Sequence, residues 1–509
     1  MASWSLPETL PGSQLQITDF LFKDRLEQVP IRPAARPAPG GLFMGGFFGV
    51  VSTTDCVSDL FYGTDYHSHL GTRRGGLAVR AHEGFTRFIH DISNTQFRSK
   101  FETDINRMHG NKGIGVISDH EDQPLIIASH LGVYAIVTVG NIRNIQQLAA
   151  RAYSKRSTHF SEMGGNEINP TELVATLINQ GTSFEEGIQE AQEAIEGSCS
   201  MLVLTDKGIY VVRDKFGRTP AIIGIKKGSI AVSLETCAFP NLSYELKHIL
   251  GPGEIVLINE EGMTPMKPPG SRLQICAFLW VYYGYPASSY EGINVEMSRN
   301  RCGACLARRN NTEVDLVAGI PDSGTGHAIG FANEAKLPYC RPFVKYTPTW
   351  PRSFMPQDQS TRDLVAHMKL IPINDMIQGQ RLLFCEDSIV RGTQLKDTIQ
   401  RLYDCGAREV HMRPACPPLL FGCKFLNFSR SRSEMDLAAR KAVVELEGQS
   451  EVNLKDYAVP SSQKYCAMVE RVRLRLGLTS LEYQHLDDLV TAIGLPKEKL
   501  CTYCWDGAE

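Results

Sequence analysis

The chain carries no uninterrupted apolar run of about 18 residues, so no membrane-spanning helix is expected. It has almost no net charge: 53 Lys and Arg stand against 56 Asp and Glu, a balance of −3. That balance excludes binding to nucleic acid or to an anionic membrane through bulk electrostatics. The first residues, MASWSLPETLPGSQLQITDFLF, lack a basic region followed by an apolar core. No secretory signal is read, and the expected location is the cytoplasm. There is no internal repeat and no low-complexity tract, and the 13 histidines form no metal-binding spacing. Cysteine, by contrast, is plentiful at 14 residues. In a large chain without a signal, this number predicts free thiols or metal ligands rather than a disulfide framework. Most should be buried as small apolar side chains. With 42% apolar and 21% charged residues over 509 positions, the composition is globular, and the length suggests about two to four domains.

Residues 1–43 end in IRPAARPAPGG, a Pro-rich, Gly-terminated composition that reads as a flexible arm or linker. Residues 44–265 form the next unit. It is rich in strand-like segments (GFFGVV, GGLAVRA, GIGVIS, SMLVLTDKGIYVVRD), with helical periodicity at 170–180 and 184–195. Sheets covered on the outside by helices are expected there. From Cys276 the rhythm changes to strands alternating with helices, which predicts a parallel sheet built from βαβ crossovers over 266–470. Leu395, Ile399 and Leu402 recur at helical spacing, and Gly406 is placed to end that helix. Residues 471–509 read as a helical tail, patterned over 476–493, that finishes in a Cys-x-x-Cys.

One stretch carries specific chemistry. FCEDSIVRGTQL (384–395) runs from an apolar strand into two adjacent carboxylates, then a small loop, then a helix. Ligands of parallel α/β sheets bind beyond the carboxyl ends of strands. Ser388 to Thr393 offer successive backbone N–H groups and hydroxyls beside a helix N-terminus, a cradle suited to phosphate. Glu386 and Asp387 repel bare phosphate but accept hydrogen bonds from sugar hydroxyls. A phosphate beside a vicinal diol is a ribose 5-phosphate.

EDSIVRGT resembles the phosphoribosyl pyrophosphate loop of type I phosphoribosyltransferases, in the form found in the glutamine phosphoribosylpyrophosphate amidotransferase family. GIPDSGTGHAIGFA (319–332), PRSFMP (351–356), HMKLIP (367–372), CAFLWVYYGYP (276–286) and RDKFGRTP (213–220) resemble further family segments in the same order, across residues 45–506. The resemblance implies an N-terminal Ntn-hydrolase-like αββα sandwich followed by a type I phosphoribosyltransferase parallel-sheet domain. It implies an enzyme of pentosyl transfer that forms 5-phosphoribosylamine and pyrophosphate, the opening step of purine synthesis. By position, Ser388, Ile389, Val390, Arg391, Gly392 and Thr393 would hold the 5-phosphate. Glu386 and Asp387 would hold the ribose hydroxyls, with Asp387 also a candidate Mg²⁺ ligand. Pro321, Asp322, Ser323 and Gly324 would approach the pyrophosphate, and Lys345 and Arg352 would close over it. A homo-oligomer and inhibition by purine nucleotides are implied by analogy.

The N-terminal half departs from the family. Its nucleophilic Cys, in a Cys-Gly-x-Phe-Gly context, aligns with Gly45 in MGGFFGVV, and glycine cannot form a thioester. The family's His-x-Arg-Tyr falls on GVISDHED (115–122), with Val116 and Ser118 at the His and Arg places. The oxyanion Asn-Gly reads Val139-Gly140, and Ser-Asp-x-Glu reads Asn169-Pro170-Thr171-Glu172. Arg73 or Arg74 is the candidate remnant of a Leu-x-His-Arg-Gly motif. Four losses at one site predict a retained fold without glutamine hydrolysis, and ammonia as the nitrogen source. Two other readings stand beside it: glutamine use through a rearranged site, and a non-catalytic phosphoribosyl pyrophosphate binder. The intact phosphate cradle, acid pair and Lys345/Arg352 favour catalysis over mere binding.

Several family members carry a [4Fe–4S] cluster. The resemblance implies Cys237 (in ETCAF), Cys423, Cys501 and Cys504 as its ligands, with Cys416 in reserve for Cys423. A Cys₄ zinc site and plain buried thiols are the alternatives.

Overall fold

Residue alternation along β1 (Gly46–Ser52) builds two cores at once. Phe47 and Val51 enter one cluster of buried side chains; Phe48 and Val50, on the other face, enter a second. Strands present alternate side chains to opposite faces, so an apolar strand in this pattern must be covered on both sides. The computed structural model describes residues 45–119, 121–154, 160–164, 167–346, 370–426, 434–450 and 452–509. The arm at 1–43 and Arg352 lie outside the described residues.

After β1 come α1 (Val57–Asp65), β2 (Arg74–Ala81), β3 (Gly84–Asp91), β4 (Lys112–Ser118), β5 (Leu125–Ser129), β6 (Gly132–Ile142), α2 (Pro170–Ile178), α3 (Phe184–Ala194), β7 (Gly197–Leu204), β8 (Ile209–Val212), β9 (Ile222–Lys226), β10 (Ser229–Ser233), β11 (Glu245–Ile249), β12 (Ile255–Asn259) and β13 (Gly262–Lys267). They form two antiparallel sheets, of order β11-β9-β10-β1-β4-β2-β3 and β13-β12-β8-β7-β6-β5. Phe47, Val51 and Val116 of the first sheet share a core with Val137, Val139, Leu202 and Leu204 of the second. The outer face of the first sheet packs Phe48 and Leu77 on Leu60 and Phe61 of α1. The outer face of the second packs Ile136 and Met201 on Leu173, Ile178 and Ile188 of α2 and α3. The result is the expected αββα sandwich. Both helices predicted at 170–180 and 184–195 form, capped by Asn169, which accepts from the Thr171 amide at 2.9 Å, and Ser183, which accepts from the Glu186 amide at 3.2 Å.

The second half contains β14 (Ile275–Cys276), α4 (Val295–Arg309), β15 (Leu316–Gly319), α5 (Thr325–Ala335), β16 (Arg381–Glu386), α6 (Thr393–Asp404), β17 (Glu409–Pro414), α7 (Gln463–Leu476), β18 (Ser480–Leu481), α8 (Leu486–Ile493) and β19 (Leu500–Cys501). Strands β15-β16-β17-β18 form a wholly parallel sheet, as the alternation of segments predicts. Leu382 and Phe384 fill one face; Leu383 and Cys385 fill the other. In α6, Ile399 and Leu402 are buried, and Gly406 (φ +89°) follows its end.

The tail differs from the expectation of one helical stretch over 476–493. Gly477 (φ +75°) terminates α7, and Ser480–Leu481 pairs in parallel with β17 before α8 begins. The edge of the parallel sheet takes up backbone groups that a continuous helix would have satisfied internally. Finally β19 pairs with β14, placing Cys501 opposite Cys276 and bringing the C-terminus back to the junction of the two halves. Among the described residues, no helix is long and apolar enough to cross a membrane.

Candidate functional site

Parallel pairing sets Gly319 opposite Cys385, so the ends of β15 and β16 lie side by side. The loop 320–324 and the segment 387–392 therefore emerge next to each other at the carboxyl edge of the sheet, where such folds bind ligands. Gly324 makes the approach possible: a Cβ there would lie 2.3 Å from the Cys385 carbonyl oxygen. Ser323 Oγ donates to Glu386 Oε1 at 3.2 Å, and the Asp387 amide donates to the same oxygen at 3.0 Å. Ser388 Oγ donates to Asp387 Oδ1 at 2.5 Å. Both acids are nearly buried. Burial and the neighbouring Asp387 charge push the Glu386 carboxyl well above the usual range.

Ile389 is anchored in the core, and the Val390 carbonyl accepts from the Ala438 amide at 2.7 Å. Gly392 (φ +76°) then turns the chain into α6. Lys345 Nζ reaches Asp322 Oδ2 at 2.5 Å, so the predicted closing lysine touches the predicted pyrophosphate loop. The structure thus gathers Asp322, Ser323, Gly324, Lys345, Glu386, Asp387 and Ser388. Sequence reasoning missed Arg299. It is buried in α4, donating to the Trp280, Tyr282 and Gly284 carbonyls at 3.0, 2.9 and 2.9 Å, and its charge couples to Asp387. Only its place on a helix packed behind the site reveals it.

At the other expected site, Gly45 (φ +81°) donates its amide to the Leu70 carbonyl at 3.0 Å. A Cβ at Gly45 would meet the Ile117 carbonyl oxygen at 2.9 Å, so a side chain is strained there in both conformation and space. Val116 and Val139 lie in the apolar core between the sheets. Thr171 Oγ1 bonds Thr138 Oγ1 at 2.6 Å, and the Glu172 carboxylate accepts from the Ser161 amide, the Ser161 hydroxyl and the Glu162 amide at 2.8, 2.9 and 2.9 Å. Arg74 pairs with Asp91 and Asp122 at 2.6 and 2.7 Å.

Beside this position stands a residue the sequence reading passed over, Asp119. Its Oδ1 accepts from the Thr72 amide at 2.6 Å, while its buried Oδ2 has no partner among the described residues. Burial pushes its carboxyl up to about 6. The folded chain therefore holds this proton at pH values where an unfolded Asp, titrating near 3.9, has lost it, so stability falls as pH rises between the two. Asp119→Asn is expected to stabilise the fold by about 2 kcal/mol above pH 6, with the gain fading toward pH 4. Urea titrations at pH 5 and pH 8 check this; equal gains at both would contradict it.

The cysteines require a correction. Cys276, Cys423, Cys501 and Cys504 line one cavity, together with Arg218, Phe278, Phe425, Leu426 and Trp505. Cys237 is not among them. Its thiol donates to Glu235 at 3.5 Å and its amide to Ser288 Oγ at 3.3 Å. Glu235 is wholly buried. Although burial pushes it up, His69 at 2.9 Å, His67 and the Tyr290 hydroxyl hold it at about 2. The sequence Cys-Ala-Phe occurs twice, at 237–239 and 276–278, and only the second lies on the strand that pairs with β19. Cys416 is buried outside the cavity, so it is not needed in reserve.

The donor set suits an iron–sulfur cluster: four thiols, an aromatic wall and one buried cation whose Nε has no partner among the described residues. Among the described residues, no group of three or more His, Cys, Asp or Glu side chains is drawn together as a single metal ion requires.

A glutamine amidotransferase domain family matches residues 110–241. The amidophosphoribosyltransferase of Methanocaldococcus jannaschii is 27% identical over 490 residues, covering 91% of this chain and 97% of that protein. The amidophosphoribosyltransferase of Pyrococcus horikoshii is 30% identical, covering 79% of this chain and 88% of its own length. The solved glutamine phosphoribosylpyrophosphate amidotransferase from B. subtilis, complexed with ADP and GMP, superposes with a TM-score of 0.79 at 26% identity, over 91% of this chain and 96% of that one. With relatives matched across both halves, the chain belongs to the amidophosphoribosyltransferase family, enzymes of the pentosyl-transferring glycosyltransferase class.

Proposed function

We propose that the protein forms 5-phosphoribosylamine and pyrophosphate from phosphoribosyl pyrophosphate at the start of purine synthesis, with ammonia as the nitrogen donor. The observation that carries this reading is the contrast between the two sites. The acid pair, phosphate cradle and Lys345 are assembled at one sheet edge, while Gly45 leaves no room for a nucleophile at the other. The C1–O bond breaks and pyrophosphate leaves with its electrons. The ammonia lone pair then forms the C1–N bond, and the surplus proton passes to solvent.

Ser388 to Thr393 anchor the 5-phosphate, and Glu386 and Asp387 orient the ribose hydroxyls. Residues 321–324, Lys345 and Arg352 receive the pyrophosphate as its negative charge grows. Asp387 would be the carboxylate that holds Mg²⁺, and the ion would neutralise leaving-group charge. Cys276, Cys423, Cys501 and Cys504 would hold a [4Fe–4S] cluster that ties the C-terminal tail to the junction of the halves. Inhibition by purine nucleotides and a homo-oligomeric state are proposed on the family likeness alone.

The test is pyrophosphate release with either glutamine or an ammonium salt as donor. Turnover is expected with ammonium, and with glutamine no more than without any donor. Gly45→Cys is expected not to restore glutamine use, because the Ile117 carbonyl crowds the new side chain. Robust turnover of the parent chain on glutamine at low ammonia would replace this reading with a rearranged glutaminase site. No pyrophosphate release with either donor would leave only a binding role.

A further inference from the structure

We infer that Arg218 is a fixed counter-charge built into the four-cysteine chamber, where it sets the reduction potential of the iron–sulfur cluster and slows its loss. The inference rests on the cluster reading above and adds a residue to it. Arg218 is only 4% exposed. Its guanidinium sits 3.6 Å from the Phe425 ring centroid and 4.9 Å from that of Phe216, and it lines the same cavity as the four cysteines. Its polar contacts are sparse: Nη1 reaches the Gly197 carbonyl at 3.5 Å and Nη2 reaches Gln274 Oε1 at 3.3 Å. Its Nε has no partner among the described residues.

Arg213, at the start of the same RDKFGRTP segment, shows what a satisfied buried guanidinium looks like here. It donates to the carbonyls of Thr219, Gly217 and Leu250 and pairs with Glu291. Two carboxylates couple to the Arg218 charge, buried Asp214 and Glu509, and the latter is already engaged by Lys424 at 2.5 Å.

A buried cation without an anion is costly unless something negative completes its surroundings. Neither carboxylate lines the chamber, and the chamber adds its own negative charge when its thiols are deprotonated around a metal group. Four thiolates on a [4Fe–4S]²⁺ core carry a net charge of about −2, and Arg218 would reduce it to about −1. Reduction adds a further negative charge, which a neighbouring cation stabilises, so the potential is raised relative to a neutral residue. The backbone holds the geometry: the Cys276 amide donates to the Arg218 carbonyl at 3.1 Å. Aromatic faces on the guanidinium keep water from taking over this role.

The experiment uses the full chain, purified anaerobically, with Arg218→Met and Arg218→Gln as neutral variants and Arg218→Lys as the charge-retaining one. Dithionite titration followed by electron paramagnetic resonance gives the midpoint potential. The neutral variants are expected to titrate at more negative potential and to bleach several-fold faster in air, while Lys stays near the parent. A second readout is thermal melting of the iron-loaded and iron-stripped proteins. Arg218→Met is expected to lower the melting temperature of the loaded form and to raise that of the stripped form. This reversal of sign is not produced by a purely structural role. Unchanged potentials, or melting shifts of the same sign in both forms, would overturn the role of Arg218 while leaving the cluster in place. A parent protein that is folded, colourless and iron-free would overturn the cluster itself, and with it this inference.

Discussion

Asp387→Asn is expected to lower pyrophosphate release from phosphoribosyl pyrophosphate by about 10²–10³-fold, the scale on which removal of one preorganised electrostatic group acts. Asp387 is nearly buried at the end of β16, accepts from Ser388 Oγ, and is the acid whose charge couples to buried Arg299. In the proposed reaction its neutral replacement would remove a negative charge from the sugar site, whose C1 becomes positive as pyrophosphate departs. The adjacent Glu386 should behave differently. Its carboxyl is pushed toward the neutral form, and the same oxygen accepts from Ser323 Oγ and the Asp387 amide. A Gln oxygen accepts both bonds, so Glu386→Gln should cost about tenfold or less, most of it in KM. Steady-state kinetics of the two variants decide the matter. If Glu386→Gln proved the more damaging, the division of roles within the pair would be reversed.

The second large effect concerns iron. Cys276→Ser is expected to remove essentially all bound iron and to lower the melting temperature, because metal-binding free energy becomes folding free energy when the site forms only in the folded chain. Cys276 lies opposite Cys501 on paired strands and lines the shared cavity with Cys423 and Cys504. Cys237→Ser should retain the iron. That thiol faces Glu235, and a serine hydroxyl can make the same contact. Iron content and visible absorbance of the two variants distinguish the ligand sets; iron lost from Cys237→Ser and kept in Cys276→Ser would restore the set expected from sequence.

The strand–loop–helix run around the acid pair was legible in the sequence. A run such as RLLFCEDSIVRGTQLKDTIQ encodes strand, turn and helix through neighbouring residues alone, and the placement of Ser388 to Thr393 follows from that continuity. The two helices at 170–180 and 184–195 were legible for the same reason, since periodicity and caps are short-range signals. The glycine at residue 45 was also readable, because a missing side chain needs no geometry. What the chain order hid was everything set by register between distant segments. Cys237 and Cys276 share the same local text, Cys-Ala-Phe, and only the pairing of β14 with β19 selects between them. Arg299, Asp119 and Arg218 look like ordinary charged residues on the page.

By itself, then, the sequence determined the two-part architecture, the strand–loop–helix run that places the acid pair at a sheet edge, and the absence of a thiol at residue 45. Those are properties of contiguous residues. Tertiary structure alone decided which four cysteines line one cavity, which charges are buried, and that the tail interrupts its helices to add a strand to the sheet. Burial and long-range strand pairing fix those outcomes, and neither is visible to a residue's sequence neighbours.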